Sequence, residues 1–289
     1  MTIRTVLNEA TAQLDAVSES ARLDAQLLLG ALLGRNRAAL LAHPDEPVAL
    51  EVTRRFRALV ARRAAGEPVA YILGRAAFYG REFLVDRRVL IPRPETELLV
   101  ERAIERLRPL PAPRIADIGT GSGAIAVTLA AELPHVEVIA TDVSTGALAV
   151  AAENARRHSV AGRVSLRQGV WLEPLEAPVD LIAANLPYVA TDEAAMLPRD
   201  VHDFEPHVAL FAGQEGLESI RTLLDQIVEA QRTRPVLQPG GTILLEIGYA
   251  HGKKLAALAR ERFPGGTVTV TQDLAGLDRL VEIQGAGSG

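Results

Sequence analysis

The chain has 289 residues, 48% hydrophobic and 23% charged, with a net charge of −5. That length suffices for about two domains with a sizeable core, and the acidic balance excludes a polyanion binder of the generally basic kind. Cysteine is absent, so disulfides, thiolate metal sites and a cysteine nucleophile are excluded as well. No apolar run reaches the roughly 18 residues of a membrane span, and the opening Met1-Thr2-Ile3-Arg4 starts no signal-peptide pattern. A cytoplasmic location without membrane attachment is therefore expected.

Residues 3–74 show helical periodicity and almost no strand signal. Leu23, Leu27, Leu28 and Ala31 fall on one face of a helix with Ser20 as its expected N-cap. A second long helix is predicted over 49–65, with Val52, Phe56, Leu59 and Val60 inward. Arg54, Arg55, Arg57 and Arg62 lie on its other side, and they read as a solvated face ahead of a docking patch. Residues 1–75 carry 10 basic and 8 acidic side chains, a balance of +2, while the remainder carry 21 and 28, a balance of −7. After Gly74 the pattern changes to two short strand-like pieces within 78–85, which predicts a hairpin linker over 75–92. Ile91-Pro92-Arg93-Pro94-Glu95-Thr96-Glu97 then opens a helix, with Pro94 expected at its first position.

From Arg114 onward strands and helices alternate. Strands are predicted at 114–118, 136–141, 164–167, 179–184, 242–247, 267–271 and 279–283, with helices from Ser122, over 145–157 and over 253–262. Seven strands in this alternation predict an α/β fold, a doubly wound Rossmann-like sheet over residues 93–289 behind a small all-α N-terminal domain over 1–74. Such sheets bind ligands beyond their strands' carboxyl ends, where the strand order reverses.

Two strand ends carry chemistry. The first is Asp117-Ile118-Gly119-Thr120-Gly121-Ser122-Gly123, in which alternating glycines let the backbone pass close to a ligand at a helix N-terminus. The spacing G-x-G-x-G differs from the G-x-G-x-x-G of nicotinamide sites and argues for a ligand without a pyrophosphate. Asp142 ends the next strand 19 residues after Gly123, where a carboxylate can accept both hydroxyls of a ribose. The second is Asn185-Leu186-Pro187-Tyr188, after the buried strand at 179–184; read alone it is a turn or a polar site. Gly248-Tyr249-Ala250-His251-Gly252-Lys253-Lys254 falls one residue short of a P-loop and lacks its Ser/Thr. It reads as a strand-to-helix turn. Asp200, His202, Asp203, Glu205 and His207 have irregular spacing in a polar segment, so they read as a loop covering the acceptor, with no metal expected.

Together with Arg22-Leu23-Asp24-Ala25, Gly66-Glu67-Pro68-Val69-Ala70-Tyr71-Ile72-Leu73-Gly74, the 90–97 segment, Leu245-Glu246-Ile247-Gly248 and Asp273-Leu274-Ala275-Gly276-Leu277-Asp278-Arg279, these motifs cover nearly the whole chain. The chain resembles the class I S-adenosylmethionine-dependent methyltransferases, and within them the HemK/PrmC glutamine methyltransferases. The resemblance implies that the helical domain recognises a class 1 peptide chain release factor. It also implies that a methyl group passes to the glutamine side-chain nitrogen (N5) of that factor's Gly-Gly-Gln motif, giving S-adenosylhomocysteine. By the same carry-over Asp117, Gly119, Thr120, Gly121, Ser122, Gly123 and Asn185 hold the cofactor, Asp142 its ribose, and Trp171 lies against its adenine. Without the family, a lone Trp after a strand reads as core before it reads as cofactor wall.

Leu186 stands where the family has a proline, and Tyr249-Ala250-His251 where a Gln is expected. Asn185 can offer its side-chain oxygen, and residue 186 its backbone carbonyl, to the two N–H groups of the target amide. Leu186 keeps the carbonyl and loses only proline's fixed φ. Pro187 stiffens the turn, and Tyr188 can lie flat over the amide. Rival readings are a glutamine methyltransferase of a ribosomal protein, an adenine methyltransferase of nucleic acid, and a non-catalytic cofactor-binding protein. The acidic C-terminal portion argues against nucleic acid, and a monomer is expected.

Overall fold

The computed structural model describes residues 1–286; residues 287–289, the end of the glycine-rich tail, lie outside the described residues. The chain divides into two units. One comprises Met1–Arg75 with Pro198–Phe204, and the other Ala76–Leu197 with the chain from Glu205 onward.

The first unit is built on helices α1 (Ile3–Leu14), α2 (Ala21–Leu33), α3 (Arg37–Ala42), α4 (Leu50–Ala64) and α5 (Val69–Leu73). Thr2 caps α1 by accepting the Thr5 N–H, and Gly34 ends α2 in the left-handed region at φ 65°. In α4 Phe56 and Val60 are buried, while Val52 and Leu59 pack beside them at the edge of the cluster. The inward face of α2 departs from the expected one: Ala21, Ala25, Leu28 and Leu29 are buried, and Leu27 is 38% exposed. The helix packs against both α1 and α4, so its contact stripe is wide. That stripe also holds Asp24, which the Arg63 guanidinium meets at 2.7 Å and the Ser18 hydroxyl at 2.7 Å. Ser20 occupies the N-cap but spends its hydroxyl on Asp24 at 3.2 Å. Arg54, Arg57 and Arg62 form ion pairs with Glu51, Glu9 and Glu67, and Arg54, Arg55, Arg57 and Arg62 are all exposed. The arginine turned inward is Arg63, buried against Asp24 and 3.3 Å from Asp200.

The hairpin pairs β1 (Arg75–Phe78) with β2 (Arg81–Leu84) across Tyr79 and Gly80, both left-handed at φ 49° and 68°. Phe78 and Phe83 meet edge to face beneath it, 5.9 Å between centroids. Helix α6 (Thr96–Leu107) starts two residues later than the proline suggested, because the Thr96 and Glu97 N–H groups bond to Arg93 and Pro94 carbonyls in a tight turn first. Then follow β3 (Arg114–Ile118), α7 (Ala124–Glu132), β4 (Glu137–Asp142), α8 (Thr145–Arg157), β5 (Val164–Gln168) and β6 (Val179–Ala184). The chain continues through α9 (Arg199–Phe204), α10 (Glu218–Thr233), β7 (Leu237–Glu246), α11 (Gly252–Arg262), β8 (Thr267–Gln272) and β9 (Asp278–Gln284).

The seven strands lie in the order β5-β4-β3-β6-β7-β9-β8, parallel except for β9. This is the doubly wound sheet expected from the alternation. Successive residues of β3 and β6 alternate between two cores: Ile115, Leu181 and Ala183 face α6 and α7, and Ala116, Ile182 and Ala184 face α10 and α11. Helix α10 is an amphipathic helix that the motif reading passed over, with Ile220, Leu223, Leu224 and Ile227 buried.

A single buried side chain ties the hairpin to the first loop of the sheet. Asn154 on α8 accepts from the Leu84 N–H at 2.8 Å and donates to the Leu84 and Ser122 carbonyls at 3.0 and 2.8 Å. Asn154→Ala leaves buried backbone groups unpaired and should cost roughly 2–4 kcal/mol of stability. Chemical denaturation of the two proteins measures this, and a loss below about 0.5 kcal/mol would contradict it.

Candidate active site

The parallel register sets the carboxyl ends of β3, β4 and β6 side by side, with Ile118 opposite both Thr141 and Ala184. The connections leaving β3 and β6 diverge here, so their loops leave a crevice between them. It holds a cavity of about 360 Å³. Gly119, Thr120, Gly121, Ser122, Asp142, Trp171, Asn185, Leu186 and Pro187 line it, so nine of the residues singled out in the sequence converge on one space. Asp117, Gly123 and Tyr188 stand behind that lining.

The glycine loop turns back because the Gly119 and Thr120 N–H groups both donate to the Thr141 carbonyl at 2.9 Å. Gly123 precedes α7 at φ 80°, where an added Cβ would sit 3.1 Å from the Ala151 methyl. A side chain there is strained by φ and by contact alike. Gly119, at φ 74°, faces Leu186, whose Cδ2 would lie 3.2 Å from a Cβ at that position. Leu186 is thus a packed contact between the two loops: it is 3% exposed and belongs to the core on the α10 side.

Asp117 is fully buried under the loop. Its Oδ2 accepts from the Thr120 hydroxyl at 2.6 Å and the Ala126 N–H at 3.2 Å, and its Oδ1 has no partner. Burial pushes its carboxyl up to about 7, against the pull of those two hydrogen bonds, and neighbouring Asp142 adds to the rise. Asp142 is half-buried and accepts from the Gly121 and Ser144 N–H groups at 3.0 and 2.9 Å. One lone pair on each oxygen remains for a ligand. Trp171 both packs on the core and lines the cavity, and it is held in the left-handed region at φ 50°, an uncommon conformation for so large a side chain.

Asn185 sits one residue past β6, and its Nδ2 donates to the Thr96 hydroxyl at 3.2 Å. Burial and the nearby Glu246 raise the Tyr188 phenol to about 12, so it remains a neutral hydrogen-bond donor at neutral pH. Its ring lies against Gly248. Two side chains escaped the motif reading as site residues. Thr96 lay in what looked like a plain helix start. Glu246 ends β7 as Asp117 and Asp142 sit at the ends of β3 and β4, and an acid closing an apolar strand was the signal available for it. Burial raises its carboxyl to about 7.

The polar segment after β6 divides. Pro206, Val208, Ala209 and Phe211 line the cavity, whereas Pro198–Phe204 belong to the helical unit. Among the described residues no His, Asp and Glu side chains are grouped as a metal ion requires. Asp200 meets Arg63, His202 meets Asp203, and Glu205 is buried against Arg93 and the Ile91 N–H.

Because folding raises the Asp117 carboxyl from 3.8 to about 7, the folded protein holds a proton there that the unfolded chain has released. Its contribution to stability is present at acid pH and is lost as pH rises through about 7. Asp117→Asn should therefore flatten the decline of Tm between pH 5 and pH 8 by about 3 °C or more. Parallel Tm curves for wild type and variant would contradict this.

The description "PrmC N-terminal domain" matches residues 5–74, and "Methyltransferase small domain" matches residues 94–199. The release factor glutamine methyltransferase of Cereibacter sphaeroides is 45% identical over 265 residues, covering 92% of this chain and 91% of its own. That of Nitratidesulfovibrio vulgaris is 44% identical over 287 residues, covering 97% and 94%. In structure the chain is similar to the hMettl16 catalytic domain solved with a MAT2A 3'UTR hairpin, with TM-score 0.58, 17% identity and coverage of 78% and 81%. A Pyrococcus furiosus methyltransferase gives TM-score 0.51 at 20% identity, covering 78% and 96%. These two share its fold, while the sequence relatives match it nearly end to end: the chain belongs to the release factor glutamine methyltransferase family.

Proposed function

We propose that the protein methylates the side-chain nitrogen (N5) of the glutamine in the Gly-Gly-Gln motif of a class 1 release factor, with S-adenosylmethionine as methyl donor. The observation that carries this reading is that Asn185, Leu186 and Pro187 open onto the same cavity as the glycine loop, in a chain of this family. The residues suit the cofactor. A cavity of about 360 Å³ is of small-molecule size. Asp117 keeps an unpartnered buried oxygen beneath the loop, Asp142 has lone pairs left for two hydroxyls, and Trp171 offers an aromatic wall. On this reading Gly119, Thr120, Gly121, Ser122 and Gly123 take the methionine end, Asp142 the ribose and Trp171 the adenine. The protein works as a monomer in the cytoplasm. Among the described residues no helix is long and apolar enough to cross a membrane.

When bound, S-adenosylmethionine supplies an electrophilic methyl group on a cationic sulfur. An amide nitrogen is a weak nucleophile because its lone pair is shared with the carbonyl, so the protein's task is orientation. The Asn185 Oδ1 and the Leu186 carbonyl accept the two amide N–H groups, which turns the lone pair toward the methyl donor. The same two oxygens stabilise positive charge as it grows on nitrogen. With the cofactor bound, the amide nitrogen held by Asn185 and Leu186 would take the methyl group, the sulfonium would leave as the thioether, and one amide proton would leave to water. Asn185 takes up no proton, because its amide is not basic near neutral pH.

Label from S-adenosylmethionine should enter a class 1 release factor and not the same factor with its Gly-Gly-Gln glutamine changed to alanine. Label in the alanine factor would sink the proposal, and label in nucleic acid or in a ribosomal protein would replace it. Asn185→Ala should lower kcat by about 10²–10³-fold with cofactor affinity nearly unchanged. Equal loss of cofactor binding would refute the acceptor role.

A further inference from the structure

We propose that Thr96 and Glu246 form an orienting relay that fixes which end of the Asn185 amide faces the acceptor; both are positioning residues. The inference rests on the acceptor role given to Asn185 above. A carboxamide has two ends of nearly equal size, and only the oxygen end accepts an N–H. Presented with its Nδ2 instead, Asn185 would set N–H against N–H and the clamp would fail. The competent orientation therefore has to be chosen by the protein.

The choice is made by the direction of two hydrogen bonds. A threonine hydroxyl either donates to or accepts from an amide, depending on where its own proton is committed. Glu246 is buried beside Asn185 in the sheet register, Thr96 is the hydroxyl that holds its carboxyl down against burial, and an ionised carboxylate only accepts. The Thr96 proton is thus spent on Glu246, and its oxygen is left to accept the Asn185 Nδ2 at 3.2 Å. Oδ1 then points away from Thr96 and is free for the acceptor.

The fold builds this alignment. Parallel pairing of Ala184 with Leu245 sets residue 185 beside residue 246, and Thr96 is the first residue of α6, which packs against both β6 and β7. Thr96 and Glu246 are 4% and 2% exposed, and Glu246 Oε2 has no hydrogen-bond partner. Thr96 and Asn185 line the cavity and Glu246 lies behind them, so the carboxylate acts through Thr96. A buried carboxylate with a spare lone pair is costly to the fold and is not accounted for by packing.

The relay is sensitive to pH. Arg93 and Glu95 ahead of α6, Tyr188 after β6 and Arg279 on β9 are the charged and titratable groups around Glu246. Burial is the largest influence and outweighs the two arginines, so the Glu246 carboxyl is raised to about 7. Once protonated, Glu246 itself becomes a donor and releases the Thr96 hydroxyl to point either way. Asp117 titrates in the same range, but it lies beneath the glycine loop and its hydrogen bonds go to Thr120 and Ala126.

The test uses the full chain with Thr96→Val, Thr96→Ser and Glu246→Gln. Thr96→Val and Glu246→Gln should lower kcat roughly tenfold or more, the worth of about one hydrogen bond, with KM for the release factor unchanged. Thr96→Ser should retain nearly full kcat. In wild type the Asn185 side-chain ¹⁵N resonance should shift with pH near neutrality, and that titration should vanish in Thr96→Val and Glu246→Gln. Full kcat in Thr96→Val, or an Asn185 resonance indifferent to Glu246, would overturn the relay. The resonance is read without any acceptor, so a wild-type protein that methylates no release factor yet shows the titration defeats the proposed function and leaves the relay standing.

Discussion

The placement of β3 between β4 and β6 is the constraint on which the rest of the site depends. Parallel pairing on both sides aligns three strand ends within one residue of register, and the diverging connections keep the space above them open. The glycine loop, Asp142 and Asn185 then meet without any long-range device. The strands supply precision, because both faces of the sheet are buried and a one-residue slip would exchange the two cores.

The acids near the ends of β3, β4 and β7 experience different surroundings. Asp142 is half-buried and accepts from two backbone N–H groups. Asp117 and Glu246 are buried, and each keeps one oxygen without a partner. Desolvation dominates both and raises their proton affinity toward neutrality. Acids near the ends of three strands thus give one half-buried acceptor and two interior acids.

Much of this was legible in the sequence, because strand-and-helix alternation and strand-end motifs are local signals. The seven-strand sheet follows from apolar runs of four to six residues, and the glycine loop from its spacing. What was not legible depends on contacts between distant residues. The α2 face was misjudged because two neighbouring helices cover it, burying Ala21, Ala25, Leu28 and Leu29 and leaving Leu27 outside. Thr96 gains its meaning from Asn185, 89 residues away. Leu186 looked like a lost proline, yet its side chain fills the space over Gly119, which no local pattern records. Pro198–Phe204 read as part of a loop, while Arg63, more than a hundred residues earlier, draws Asp200 to the helical unit.

That last feature bears on modularity. The chain passes between the two units three times, so the helical unit is discontinuous in sequence. A fragment ending near residue 75 would lack Asp200 beside Arg63 and Phe204 beside Gly66, leaving the guanidinium with Asp24 as its one carboxylate. Moving the helical unit of one family member onto another is therefore a two-segment graft. The short helix after β6 has to travel with the N-terminal helices that it completes.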